Sequence, residues 1–288
     1  MLEIVSHYLS KKLKSYLKKG NQQVQGWLEP MAMHGIVALS ALQLEHNIKG
    51  ATGEIGVHHG RLFILLHLLS QSSECSVAWD LFENQAENQD NSGLGDLDKF
   101  VANLQSHRCD IDRIRIETVN SIKLSIDLIL SHSQQTFRLF SVDGGHTAEI
   151  TFHDLQLASG VLCQGGLVIL DDFFNEAWPG VSEGCMRFML AHPGALVPVA
   201  IFGNKFVFTN DVAFASACQD TLFGLDYRAA RGYATFFGQT VVTLVPDRSS
   251  DLRHYIAHHP WWRRVQNRPL GRWAKRSRLA QMVRQLLR

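Results

Sequence analysis

Cysteine is scarce and scattered in this chain: Cys75, Cys109, Cys163, Cys185 and Cys218 are an odd number, with no CxxC pair among them. That argues against a disulfide framework or a thiol-based zinc site, and buried thiols in a reducing cytosol are the expectation. No apolar run approaches the ~20 residues that cross a bilayer, and Leu62–Leu69 is far too short. The lysines near the start (Lys11, Lys12, Lys14, Lys18, Lys19) have no apolar segment after them, so no secretory signal is expected. Internal repeats and low-complexity segments are missing as well. Acidic residues are absent after Asp251, where Arg253, Arg263, Arg264, Arg268, Arg272, Lys275, Arg276, Arg278, Arg284 and Arg288 follow. The end of the chain is therefore strongly basic, although the formal net charge of +1 excludes general polyanion binding. A cytoplasmic protein is expected, peripheral at the inner membrane face if the tail meets lipid.

What is present is ordinary for a globular enzyme-sized chain. Its 288 residues, 45% hydrophobic and 19% charged, suffice for one large α/β domain with extensions or for two small ones. Apolar residues at helical spacing predict helices over residues 1–20, Pro30–His46 and Arg61–Leu69. Further helices are expected from about Leu97 to Ser106 and over Ile122–Leu130, Ala148–Ala158 and Ser182–His192. Strands are expected at Glu54–Val57, Cys75–Leu81, Ile114–Val119, Phe137–Val142 and Leu167–Leu170. Apolar runs at Leu196–Phe202, Lys205–Phe208 and Thr240–Val245 follow, and the first two predict a closing antiparallel hairpin. Alternation of strand and helix argues for a doubly wound, mainly parallel sheet. The organisation expected is an N-terminal helical extension (1–48), a central domain (49–248) and a basic helical tail (249–288).

Three segments carry the chemistry: Gly53-Glu-Ile-Gly-Val-His-His-Gly60, Ser141-Val-Asp-Gly-Gly-His146 and Gly165-Gly-Leu-Val-Ile-Leu-Asp-Asp-Phe173. Each is an apolar run that stops at acidic residues or glycines, as a buried parallel strand does when it delivers polar groups to the carboxyl edge of a sheet. Gly56 and Gly60 allow a tight turn and close ligand approach, and the helix beyond can receive an anion. Asp80, at the end of the second strand, can accept both hydroxyls of a ribose. The third glycine of a dinucleotide fingerprint is missing, which disfavours nicotinamide. Asp143, Asp171 and Asp172 end two strands expected to be neighbours, and their mutual repulsion calls for a cation or for protons. Oxygen ligands alone suit a hard ion such as Mg²⁺. Capping of the next helix is the other account of Asp143 and Asp172.

The first segment resembles the opening motif of class I S-adenosylmethionine-dependent methyltransferases. The resemblance implies a Rossmann-like, seven-stranded fold, with Glu54, Gly56, His58 and Gly60 near the cofactor, Asp80 on its ribose and Ser121 beside its adenine. The D-G-x-H and G-G-x-x-x-x-D-D patterns resemble the metal-dependent macrocin- and mycinose-type sugar O-methyltransferases and the cephalosporin-hydroxylase-like group. That implies Asp143, Asp171 and Asp172 around Mg²⁺ or another divalent cation that chelates adjacent hydroxyls of a sugar, glycan precursor or small-molecule acceptor. Where some relatives carry an aspartate as base this chain has Gly145, and His146 matches the histidine of others. Imidazole suits the role, since it titrates near neutrality.

Other features stay open at this level. His58 and His59 could line a pocket or sit exposed, and Trp178 could wall a substrate or pack in the core. The Asn84–Gly95 loop has the length of a lid. In the tail, Leu279, Met282, Val283, Leu286 and Leu287 recur at helical spacing among arginines. An anionic membrane surface or a second subunit would suit that helix, whereas no nucleic-acid module is recognisable. A hydroxylase-like or hydrolytic metal enzyme and a non-catalytic membrane-recruited module are the competing functional classes.

Overall fold

The computed structural model describes residues 10–225 and 229–246. Five strands, β1 (Ala51–Ile55), β2 (Ser76–Asp80), β3 (Ile114–Thr118), β4 (Phe137–Val142) and β5 (Leu162–Leu170), lie parallel in the order β3-β2-β1-β4-β5. β1, β2 and β4 are buried along their whole length, so neither face of these strands is given over to solvent-facing polar residues. β6 (Val197–Phe202) and β7 (Lys205–Thr209) form a hairpin, and β7 lies antiparallel between β5 and β6. Gly203 supplies the positive φ of its two-residue turn.

The sheet does not finish there. β9 (Gln239–Pro246) runs parallel to β6, and β8 (Ala229–Phe236) takes the edge, so the sheet has nine strands rather than the expected seven. β8 escapes a sequence reading because Arg231 and Gly232 interrupt its apolar residues, and Tyr233 is exposed at this edge.

The helices are α1 (Lys11–Lys18), α2 (Pro30–Glu45), α3 (Arg61–Leu69), α4 (Leu97–Ser106), α5 (Ile126–Ser133), α6 (Ala148–Val161), α7 (Pro179–Ala191) and α8 (Val212–Phe223). Local chemistry sets their ends. Side-chain oxygens of Ser10, Asp96, Ser125 and Thr147 accept the free N–H groups opening α1, α4, α5 and α6. The Ser125 cap places the start of α5 at Ile126, after a separate short turn over Ser121–Lys123, instead of the expected Ile122. Pro179 opens α7 earlier than expected, because a proline at the first helical position gives up no hydrogen bond.

Fully buried Arg138 of β4 ties α2 to the sheet. Its guanidinium meets both Glu74 carboxylate oxygens (3.0 and 3.1 Å), Ser40 and Gln43 of α2 (3.0 Å each) and the Leu69 carbonyl (2.9 Å). A buried charge with these partners is specified in place, since any loss would leave the remainder desolvated and unpaired. No helix among the described residues is long and apolar enough to cross a membrane. The expected tail helix over 249–288, with its arginines and tryptophans, lies outside the described residues.

Candidate functional site

The carboxyl ends of β1, β2, β4 and β5 and the β6–β7 turn surround a cavity of ≈ 840 Å³, to which Gln25–Pro30 also contribute. Glu54, Gly56, His58, Asp80, Ser121, Asp143, His146, Asp171 and Asp172 all line it. Gly60, expected near the cofactor, is not among the residues that line the cavity. It caps α3 at φ 89°, and a Cβ there would lie 2.6 Å from the Phe100 ring, so glycine serves helix packing at that position.

At one end of the cavity the β1 strand stops at Gly56, whose φ of 82° belongs to the left-handed region. Asp80 turns inward at the end of β2. Its Oδ2 accepts the His58 N–H at 2.8 Å and its Oδ1 the Phe82 N–H at 2.7 Å, so the carboxylate also holds the glycine turn. Burial raises the Asp80 pKa, and these backbone hydrogen bonds oppose the rise. His58 itself sits at φ 51° and stacks on His59 at 3.9 Å, and burial lowers both imidazole pKa values. Ser121 is buried in the turn after β3, where its carbonyl faces His153 Nε2 at 3.2 Å.

At the other end acidic groups gather around one ammonium. Buried Glu54 and Asp171, with Asp143 opening on the cavity, face Lys205 at the start of β7, and Lys205 is itself buried. Lys205 donates to Asp171 Oδ2. Burial works against its charge, but Asp171 and Asp143 prevail and its pKa is raised. Asp171, expected among the metal ligands, is thus already neutralised by an amine. Among the described residues, ligand atoms of Asp143, His146 and Asp172 converge within 4.8 Å of one another.

One ammonium does not balance this group. Desolvation and then Asp171 push the Asp143 pKa well above the carboxylate range. Burial lifts Glu54 to about 8 against the pull of Lys205, and Glu54 Oε2 has no hydrogen-bond partner among the described residues. A site that must otherwise take up protons to relieve its repulsion fits a divalent cation. The Glu54 shift has a measurable consequence. Between its ordinary value of 4.5 and its folded value of about 8 the folded chain holds a proton that the unfolded chain has released. Stability should therefore fall as pH rises through that window and level off above it. Thermal melts at about pH 5 and about pH 9 should show Glu54→Gln losing less stability than the parent over that interval. Equal losses would reject the shift.

Asp172 occupies the left-handed region at φ 58°, with its N–H bonded to the Asn204 carbonyl (3.1 Å) and to Asp171 Oδ1 (2.9 Å). Such a conformation costs on the order of 1 kcal/mol and persists only where its surroundings impose it. It carries the Asp172 carboxylate to 3.4 Å from His146 Nε2. His146 lies flat on Trp178, ring centroids 4.3 Å apart, and its Nδ1 is 2.8 Å from Asp90 Oδ2. Burial favours the neutral imidazole, but bonds to Asp172 and Asp90 outweigh it and raise the His146 pKa. Asp172 is held below the ordinary range: burial would raise it, and His146, Asn175 and Asn204 more than offset that.

Sequence reasoning missed Lys205, Asn204 and Asp90. A lysine opening a buried strand directly after a Gly-Asn turn is a signal for the first, whereas Asp90 is one polar residue in a polar loop and offers none. Asp154 of α6 was missed too; it is fully buried, neither carboxylate oxygen has a hydrogen-bond partner among the described residues, and burial raises its pKa to about 7 with Ser121 opposing.

Residues 54–173 match the model of a family described as a methyltransferase domain. No curated protein matches the chain in sequence. Among solved structures, the O-methyltransferase NovP is similar with a TM-score of 0.53 at 16% identity, over 62% of this chain and 79% of that one. Apo CalS11, described as a TDP-rhamnose 3'-O-methyltransferase of calicheamicin biosynthesis, gives 0.48 at 18% identity over 63% and 81%. An O-methyltransferase from Bacillus cereus in complex with SAH gives 0.48 at 17% identity over 69% and 90%. At these identities the likeness is one of fold, carried by the first of the three.

Proposed function

We propose, from the premise that residues 54–173 form a methyltransferase domain, that this protein moves a methyl group from S-adenosylmethionine to a hydroxyl of a sugar, glycan precursor or related small molecule, with a divalent cation as cofactor. One observation carries the reading. A single cavity has a glycine turn and an inward carboxylate at one end, and a convergent carboxylate–imidazole group at the other. Its ≈ 840 Å³ suits a cofactor and a small acceptor together.

In this reading Asp80 accepts the ribose hydroxyls, and the turn at Gly56, which Asp80 holds through the His58 N–H, lies along the donor. Asp143 and Asp172 would hold the cation, His146 stands beside them as the base and not as a ligand, and Asp171 keeps Lys205 in place behind them. When bound, the cation lowers the pKa of the acceptor hydroxyl. His146 Nε2, on the cavity side of the ring, takes the proton as the hydroxyl oxygen forms its bond to the methyl carbon and the carbon–sulfur bond breaks. Displacement of this kind depends on alignment of nucleophile and methyl group. The Trp178 face fixes the imidazole plane on one side. Trp27, 73% exposed on the rim, offers an aromatic surface to the acceptor.

The experiment is a calorimetric titration with S-adenosylhomocysteine, with and without Mg²⁺, followed by transfer of labelled methyl groups to nucleotide-activated sugars. Micromolar binding is expected. No binding in either condition would remove the donor, and the hydroxylase-like or hydrolytic reading of the same carboxylates would then stand.

A further inference from the structure

We propose that Asp90, in the segment between β2 and α4, is the positioning residue for His146: its contact with Nδ1 at 2.8 Å is shorter than that of Asp172 with Nε2 at 3.4 Å, and so holds the imidazole as its Nδ1–H tautomer with the lone pair on Nε2. What Nε2 then does rests on the methyl-transfer reading; the positioning itself is a matter of geometry. Asp90 Oδ2 accepts the His146 backbone N–H at 2.7 Å and lies 2.8 Å from its Nδ1. One oxygen thus grips both main chain and ring of the same residue. An ionised carboxylate can only accept, so the proton between Oδ2 and Nδ1 belongs to the ring. Both Asp90 oxygens act as acceptors: Oδ2 takes the His146 N–H, and Oδ1 takes the N–H and the hydroxyl of Ser92.

The segment keeps Asp90 in place by its own polar side chains. Ser92 donates from Oγ (2.6 Å) and from its N–H (3.0 Å) to Asp90 Oδ1, leaving Oδ2 for the histidine. Asn88 Nδ2 donates to the Ser92 carbonyl at 2.6 Å, and Asn88 Oδ1 accepts the Asn91 N–H at 3.1 Å. Ser92 Oγ is itself 3.0 Å from His146 Nδ1. Two residues before α4, Gly95 crosses Asp80 so closely that a Cβ would fall 2.7 Å from Oδ1. The segment therefore spans both ends of the cavity, and the ring it holds is pinned on a further side by Trp178.

A merely structural Asp90 would staple the loop to the start of α6 through the backbone N–H and leave the ring indifferent. Nitrogen-15 correlation spectra of the histidine rings separate the two. They would be recorded on the full chain at alkaline pH, with the His146 signals assigned by their loss in His146→Gln. In the parent, Nδ1 should carry the proton. Asp90→Asn, whose amide oxygen still accepts, should keep that form. Asp90→Ala should shift the tautomer ratio about tenfold or more towards Nε2–H, the scale of a lost charge-assisted hydrogen bond. S-adenosylhomocysteine affinity, read by calorimetry, should stay within about threefold across the set, because Asp90 touches the base and not the donor. A parent ring with its proton on Nε2 overturns the proposal even if no variant folds. An unchanged ring in Asp90→Ala overturns it too, whether or not cofactor affinity drops. Failure of the parent to bind S-adenosylhomocysteine, with the tautomer shift intact, would sink methyl transfer and leave the positioning role standing.

Discussion

Gly56→Ala is expected to abolish S-adenosylhomocysteine binding and to destabilise the fold by about 4 kcal/mol or more, in the rare upper tail of single substitutions. A Cβ at this position would lie 1.7 Å from the Asp143 carbonyl oxygen and 2.5 Å from its carbonyl carbon. Neither atom belongs to a flexible side chain. The Asp143 N–H is bonded to the Ile55 carbonyl at 2.9 Å and the Gly56 N–H to the Trp79 carbonyl at 2.8 Å, so β1, β2 and β4 lock the contact from both sides. The φ of 82° adds strain that any L side chain would meet even with space available. Relief requires the end of β1 to part from the end of β4, which would separate the two ends of the cavity. Thermal melts and calorimetry of Gly56→Ala against the parent test this. Parent-like affinity in a stable variant would show that the backbone can give way here.

Asp171 and Asp172 are adjacent in sequence, and their substitution should fail in different ways. Asp172→Asn is expected to weaken Mn²⁺ binding by about 100-fold or more, beyond the effect of losing an outer hydrogen-bond partner, with stability little changed. Asp171→Asn strips buried Lys205 of the carboxylate it donates to and leaves it only the fields of Asp143 and Glu54, so the loss should approach, without reaching, the about 3–5 kcal/mol of a wholly unpaired buried charge. Its main signature is therefore a lower melting temperature. Replacing both partners by apolar residues, Asp171→Leu with Lys205→Met, should recover much of that loss, since the penalty arises from the orphaned charge. Mn²⁺ titration and melting curves on the three variants decide the matter. Asp171→Asn with parent stability and abolished Mn²⁺ binding would return Asp171 to the ligand set and make Lys205 incidental.

The sheet core was legible because burial on both faces leaves a plain mark. β5 has no polar side chain over residues 165–170 and stops at Asp171, β4 stops at Asp143 with Ser141 as the one polar residue near its end, and the edge they reach is where the cavity opens. Strand β8 was not legible: one side of an edge strand meets water, so Arg231, Gly232 and Tyr233 are tolerated there and the apolar pattern dissolves. Helix ends shifted by a few residues wherever a cap or a proline, rather than periodicity, set the boundary, as at Ser125 and Pro179.

By itself the sequence determined that Glu54, Asp80, Asp143, Asp171 and Asp172 would meet at one edge of a doubly wound sheet. Strand ends in such a sheet converge whatever their loops do, so the list needs only local pattern and chain direction. Only the tertiary structure decided which carboxylate faces what. Lys205 reaches Asp171 because β7 turns back antiparallel beside β5, and Asp90 reaches His146 because a polar loop folds across the cavity mouth. Both partners come from segments 34 and 56 residues away, where the pairing energy depends on distance and burial and leaves no trace in local spacing.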